Sequence, residues 1–205
     1  MTLPLPEQLI NRELGILEFQ RRVLAQAEDE ETPLLERLRF LCIVSSNMDE
    51  FFEVRVAGLK EQIKAGVATP SPDGLTPRQA YAEVERMAHE LVAQQYQLFN
   101  QILLPALDER GIRFIRRTQW NEAQTAWIRD YFFRELMPVL TPIGLDPAHP
   151  FPRVLNKSLN FAVELKGKDA FGRNSGAAVV QAPRSLPRGI RLRQNIAGCE
   201  YGFVF

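Results

Sequence analysis

The residues with the clearest capacity for chemistry lie in the segment SSNMDEFF at positions 45–52. Asn47, followed three residues later by Glu50, has the spacing of a helix N-cap and its capping-box partner. Capping uses only the side-chain oxygen, so the amide NH₂ of Asn47 could still donate to a nucleotide or phosphate at the positive end of the helix. A helix start alone also explains the segment, without any ligand.

Two aromatic residues, Phe51 and Phe52, complete the segment. One of them is expected to face the core, and the other could pack on an adenine ring. A wide apolar helix face explains both of them equally well. The segment therefore predicts either a nucleotide-binding helix end or an ordinary joint between two helices.

Acid–base and nucleophilic chemistry has few other candidates in this chain. The sequence contains no GxxxxGK[ST] phosphate loop, no GxGxxG, no HExxH and no GxSxG, and its only histidines are His89 and His149. We expect His89 to lie on the surface of a helix. His149 belongs to the turn DPAHPFP, where a hydrogen bond with Asp146 is the favoured interpretation. No catalytic residue and no metal-ligand set is predicted.

Charge is unevenly distributed along a chain whose formal net charge is zero. Residues 1–152 hold 16 Lys and Arg against 22 Asp and Glu, whereas residues 153–205 hold 9 against 3. Clustered positive charge can guide a polyanion, although solvated loop charge is the simpler explanation. The basic residues of the second part are Arg153, Lys157, Lys166, Lys168, Arg173, Arg184, Arg188, Arg191 and Arg193.

Composition indicates a globular protein of the cytoplasm. Hydrophobic residues make up 45% of the 205 positions, but no apolar stretch approaches the ~20 residues that span a bilayer. The N-terminus shows neither the basic region nor the apolar region of a secretory signal. Cys42 and Cys199 lack metal-site spacing and fit a reducing compartment as buried or spare thiols.

The elements that must position Asn47 are predicted to form a helical bundle over residues 1–107. Apolar residues recur at helical spacing and predict helices over residues 13–28, from Pro33 to about residue 46, over residues 48–65, and from Thr76 to about residue 102. Each predicted apolar face is listed by its residues: Ile16, Phe19, Val23 and Ala27, with Leu17 and Leu24 beside them, in the first helix; Leu34, Leu38 and Leu41 in the second; Phe52, Val56, Leu59 and Ile63 in the third; Val84, Ala88, Leu91, Gln95, Leu98 and Ile102 in the fourth.

The sequence changes character after Gly111, and residues 108–205 are predicted to be a second, α/β domain. A helix is expected over residues 121–136, and strands over residues 112–115, 159–165, 177–181 and 201–205. The fold class is therefore α+β. Because the chain ends within the last predicted strand, we expect this second domain to be truncated.

Four blocks of sequence, taken together, resemble the amino-terminal region of polyphosphate kinases. They are NREL at 11–14 with the residues that follow it, LRFL at 38–41, SSNMDEFFEVRVAGL at 45–59, and LTPIGLDPAHPFPRVLNKSLNFAV at 140–163. They occur in family order and extend over nearly the whole chain. The first helix departs from the family pattern, since Gly15, Ile16 and Gln20 stand where Ser, Trp and Asn are expected.

The resemblance implies an enzyme that reversibly transfers the terminal phosphate of ATP to inorganic polyphosphate, with Mg²⁺ and a phosphohistidine intermediate. It implies a helical N-terminal domain, a head domain, and catalytic domains beyond residue 205 that carry the phosphorylated histidine and the Mg²⁺ ligands. The residue that matches Asn47 contributes to the ATP site in the family, whereas His149 is not the phosphorylated histidine. The head domain is associated with subunit contacts, so a homo-oligomer, dimer or tetramer, is expected, and the 205 residues alone should be inactive.

An alternative function is a non-catalytic scaffold. It would form oligomers through the stripe from Val84 to Ile102 and would bind a polyanion through the basic residues between 153 and 193. A nucleic acid is a weaker candidate for that polyanion, because base-stacking aromatic residues are absent among these basic residues.

Overall fold

Residues 5–145, 150–167 and 176–205 are described by the computed structural model of the chain. They divide into two compact units, the first ending at Arg110 and the second beginning at Gly111. The first is built from helices and the second from short strands and helices, so the predicted α+β class is confirmed. His149 and Asp146 lie outside the described residues, as do Lys168 and Arg173.

In the first unit, helix α1 packs against α2 and against a longer helix, α4, while α2 contacts the π-helical turn Phe99–Leu103 that follows α4. The bounds are α1 Arg12–Glu28, α2 Leu34–Glu50, α3 Ala57–Lys64, α4 Pro77–Leu98 and α5 Leu104–Glu109. The predicted signals at two helix ends are confirmed. Thr76 and Gln79 form a capping box at the start of α4, and Gly66 takes a φ of 73° just after α3.

The predicted break between the second and third helices is wrong. A π-helical turn, Phe51–Val56, joins α2 directly to α3, so the chain stays helical from Leu34 to Lys64. Asn47 consequently lies inside a helix and caps nothing. The helix continues because its buried side chains run through the expected break at spacings of three and four residues: Leu41, Val44, Met48 and Phe51.

The π-helical turn shifts the buried stripe by one residue. After Phe51 the next buried position is Val56, five residues on, because a π-helical turn accommodates one residue more than an α-helical turn. Phe51 is therefore a core residue, and the predicted core residue Phe52 is 43% exposed.

A second π-helical turn has the same effect at the end of α4. The predicted stripe from Val84 to Leu98 is buried as expected, but Ile102 is 48% exposed and Leu103 is fully buried in its place. The turn Phe99–Leu103 accounts for the shift. Since this stripe fills the core of its own unit, its buried part is not available as an oligomer interface.

The second unit contains two three-stranded sheets. In the first, β1 (Ile112–Phe114) lies parallel to β6 (Tyr201–Val204), and β5 (Ile190–Arg191) pairs antiparallel with the other edge of β6. In the second, β4 (Ala177–Gln181) lies between β2 (Pro142–Gly144) and β3 (Asn160–Glu164), with both pairings antiparallel.

Helices complete this unit. Most of the elements predicted for it are confirmed. Helix α6 (Glu122–Tyr131) runs into a π-helical turn, Phe132–Leu136, and α7 spans Gln194–Ala197. The four predicted strands are present to within two residues at each end, whereas β2 and β5 were not predicted. Among the residues that the structure describes, no helix is long and apolar enough to cross a membrane.

Candidate functional site

A groove of about 320 Å³ lies beside Asn47 in the first unit. Helix α1 supplies one wall, and α2 together with the π-helical turn supplies the other. We call this space the Asn47 groove, and its lining residues are Ile16, Gln20, Asn47, Glu50, Phe51, Val54 and Arg55.

Asn47 does not present the free amide that the sequence predicted. Its Nδ2 donates to Oε1 of Gln20 over 2.9 Å, which ties α2 to α1 at the base of the groove. Asn47 is partly buried, and its position near the middle of a continuous helix removes the expected contribution of a positive helix end. What remains at Asn47 is its Oδ1 and the second amide hydrogen, neither of which has a partner among the described residues.

Gln20 was not recognised as a site residue from the sequence, yet it is only 5% exposed and lines the Asn47 groove. The sequence did contain a signal for the burial of Gln20. The face of α1 that is actually buried comprises Leu17, Gln20, Leu24 and Ala27, at spacings of three, four and three, whereas the predicted face member Phe19 is 50% exposed. A glutamine within such a stripe marks a polar group that the fold must accommodate.

The groove has one charged residue of each sign. Arg55 is half-buried, and its guanidinium has no ion-pair partner among the described residues. Glu50 lies on the exposed rim. Phe51 is buried beneath the groove and meets Phe52 edge-on, with ring centroids 5.9 Å apart. A mixed set of amides, one cation, one carboxylate and apolar carbons suits a ligand with both a planar apolar part and polar groups.

The other candidate residues considered in the sequence do not line the Asn47 groove. His89 is exposed on α4, where its Nδ1 lies 2.8 Å from the carbonyl oxygen of Glu85, so it occupies the helix surface as expected. Within residues 5–145, 150–167 and 176–205, no group of three His, Cys, Asp or Glu side chains could hold a metal ion.

The basic residues of the second unit are used in different ways. Arg184 donates to the carbonyl oxygen of Asn156, and Arg191 lies 4.6 Å from the centre of the Tyr201 ring. By contrast, Arg153, Lys166, Arg188 and Arg193 make no side-chain ion pair within the part of the chain that the structure describes.

Comparison with known protein families gives two matches that together extend over most of the chain. Residues 9–115 match the family model described as the polyphosphate kinase N-terminal domain, and residues 123–205 match the polyphosphate kinase middle domain. The Asn47 groove lies entirely within the first match.

Curated relatives and a solved structure agree with these matches. The chain is 60% identical over 196 residues to the polyphosphate kinase of Burkholderia vietnamiensis and 61% identical over 196 residues to that of Paraburkholderia phytofirmans. Each alignment covers 96% of this chain but 28% of the relative. The crystal structure of polyphosphate kinase from Porphyromonas gingivalis matches 95% of this chain and 28% of its own, with a TM-score of 0.69 and 30% identity.

Proposed function

This chain belongs to the polyphosphate kinase family, and we propose that it contributes Asn47 to the ATP site of the full-length enzyme. In this proposal the full-length enzyme reversibly transfers the terminal phosphate of ATP to polyphosphate through a phosphohistidine, in the cytoplasm and as a homo-oligomer. This chain supplies neither the phosphorylated histidine nor the Mg²⁺ ligands. ADP binds the same site in the reverse direction.

The observation that carries the proposal is the Asn47 groove. Asn47 lines a cavity of about 320 Å³, and its second amide hydrogen and its carbonyl oxygen have no hydrogen-bond partner among the described residues. Arg55 is half-buried and has no ion-pair partner among the described residues, so its guanidinium can pair with a phosphate oxygen, whereas the carboxylate of Glu50 on the exposed rim opposes an anionic ligand. The wall formed by Phe51–Val56 is π-helical, a geometry that is frequent at functional sites.

Substitution of Asn47 in the full-length enzyme tests the proposal. We expect Asn47→Ala to raise the KM for ATP by about three- to ten-fold, which corresponds to the loss of one hydrogen bond to the ligand. Ser46→Ala is the matched control, because Ser46 is exposed on the same helix and does not line the groove. The control should leave the KM unchanged.

Thermal unfolding distinguishes an effect of Asn47→Ala on ATP binding from an effect on the stability of the fold. Asn47→Ala also removes the hydrogen bond to Gln20, so a purely structural role predicts a lower melting temperature with an unchanged KM for ATP. That result would exclude Asn47 from the nucleotide site. A second assay concerns the 205-residue chain by itself, which should form neither phosphohistidine nor polyphosphate when supplied with ATP and Mg²⁺.

A second candidate function, polyanion binding by the second unit, is favoured by the basic side chains that lack ion pairs among the described residues. Changing Arg153, Arg188 and Arg193 together to Gln should weaken polyphosphate binding and reduce its dependence on salt. Arg39→Gln is a control on the first unit, because Arg39 is exposed and already pairs with Glu36. If the triple variant binds polyphosphate with the same affinity as the Arg39→Gln control and the unchanged protein, this surface is ruled out.

A further inference from the structure

We propose that Gln20 is a specificity-determining residue of the nucleotide site, which holds the Asn47 amide in one orientation and together with it selects adenine over guanine. The inference rests on the proposed function, because it requires the Asn47 groove to bind the nucleotide. It adds a residue that lies 27 positions from Asn47 in sequence and that is brought to it only by the packing of α1 on α2.

The first step concerns the hydrogen bond itself. Asn47 Nδ2 donates to Gln20 Oε1 over 2.9 Å, and this bond couples the orientations of the two amides. An isolated asparagine could present its oxygen or its NH₂ to a ligand by rotating about its last torsion angle. With Gln20 paired to it, Asn47 can turn over only if Gln20 turns over as well, and in the observed pairing its Oδ1 and second amide hydrogen are the groups left for a ligand.

The second step concerns what Gln20 still offers. Gln20 is only 5% exposed, and it lines the Asn47 groove. Its Oε1 accepts from Asn47, whereas its Nε2 donates to no partner among the described residues. Among the described residues only Asn160 Oδ1 is a fully buried polar side-chain atom without a partner, so Gln20 Nε2 reaches the groove, where it can donate to solvent or to a ligand that accepts a hydrogen bond.

The third step matches these groups to a base. Asn47 Oδ1 is an acceptor, and the Gln20 Nε2 and the second Asn47 amide hydrogen are donors. Adenine presents an exocyclic amino donor beside a ring-nitrogen acceptor. The amino group can donate to Asn47 Oδ1, and the ring nitrogen can accept from one of the amide hydrogens. Guanine carries a carbonyl oxygen where adenine carries its amino group, so that oxygen would face Asn47 Oδ1. The amide pair therefore favours ATP over GTP.

Gln20→Met in the full-length enzyme tests the inference, because methionine retains most of the side-chain volume and removes both polar ends. We expect the KM for ATP to rise about ten-fold, kcat to change little, and the kcat/KM for GTP to stay nearly constant, so that the preference for ATP falls. Gln97→Met is the matched control, since Gln97 is exposed on α4 and does not line the groove.

A double-mutant cycle tests whether Gln20 acts through Asn47. If Gln20 positions Asn47, the variant that carries both Gln20→Met and Asn47→Ala should have about the same KM for ATP as whichever single variant has the higher KM. Two independent effects would instead multiply. Fully additive losses, or equal losses of kcat/KM for ATP and GTP, would show that Gln20 only supports the fold and would overturn the inference.

The two proposals fail in different ways. If Asn47→Ala leaves the KM for ATP unchanged, the proposed function fails, and the role of Gln20 fails with it. If Asn47→Ala raises the KM and Gln20→Met leaves the KM and the preference for ATP unchanged, only the inference about Gln20 is wrong.

Discussion

Asn11 donates from Nδ2 to Oδ2 of Asp73 over 3.1 Å, while its own Oδ1 accepts from the backbone N–H groups of Glu13 and Leu14. One buried side chain thus caps α1 and ties it to the connection that precedes α4. The sequence led us to expect this arrangement, with a capping oxygen and a donating amide, at Asn47. The structure has it at Asn11.

Asn11→Ala should lower the free energy of unfolding of the first unit by about 2 kcal/mol, of which about half comes from the cap and half from the bond to Asp73. Asn11→Asp keeps the cap but places a second carboxylate beside Asp73, so it should also destabilise the protein at neutral pH. Urea unfolding followed by far-UV circular dichroism measures both. If the two variants unfold like the unchanged protein, Asn11 does not anchor α1.

Acid should selectively weaken the contact made by Asp73. Partial burial of its carboxyl acts to raise the pKa, but hydrogen bonds from the N–H of Leu75 and from the Ser71 and Asn11 side chains outweigh this and hold the pKa of Asp73 below its usual range. Because the folded pKa is lowered, the stabilisation is complete above the unfolded value of about 3.9 and is lost as the pH falls through the folded value.

Asp73→Asn provides the measurement for this pH dependence, since it removes the titrating group. The unchanged protein should be the more stable of the two at about pH 6, and the difference should shrink as the pH falls below about 4. A stability difference that stays constant over this range would mean that the Asp73 carboxylate does not contribute through its charge.

The π-helical turn after α4 predicts a large difference between two aliphatic residues of one apolar pattern. Leu91 is 1% exposed, so Leu91→Ala should cost about 2–5 kcal/mol of stability. Ile102 is 48% exposed, and Ile102→Ala should cost less than about 1 kcal/mol. Chemical denaturation of the two variants checks this. Similar losses would indicate that the helix is regular through residues 99–103.

Gly202 is the position in the second unit where a side chain is least tolerable. A Cβ there would lie 2.5 Å from the Cβ of Ala197 and 3.2 Å from the Sγ of Cys199. Gly202→Ala should therefore destabilise the unit by about 1–3 kcal/mol, which tryptophan fluorescence can follow because Trp120 and Trp127 pack against the same core.

Gly58→Ala is the matched control for Gly202→Ala. Gly58 lies in α3, and a Cβ added there meets nothing within 4 Å. Alanine should stabilise that helix by about 0.5–1 kcal/mol, because glycine loses more backbone entropy on folding. A destabilised Gly58→Ala variant would show that the helix continuing from α2 is packed more tightly at this position.

Much of the fold could be predicted because it depends on local signals. The Thr76 capping box, Gly66 after α3 and the stripe from Val84 to Leu98 are all set by residues within a few positions of one another. The four predicted strands were found for the same reason. The two missed strands, β2 and β5, are defined by their pairing with a neighbouring strand, which a local pattern does not specify.

What the sequence by itself determined is the succession of a helical unit and an α/β unit, the family, and Asn47 as a candidate site residue. Only the tertiary structure decided that Asn47 lies within a helix, because burial of Val44, Met48 and Phe51 against the other helices keeps the chain helical where a capping pattern predicted a break. It also decided that the Asn47 amide is held by Gln20. That contact joins residues on two helices, and a local pattern cannot specify how one helix is rotated against another.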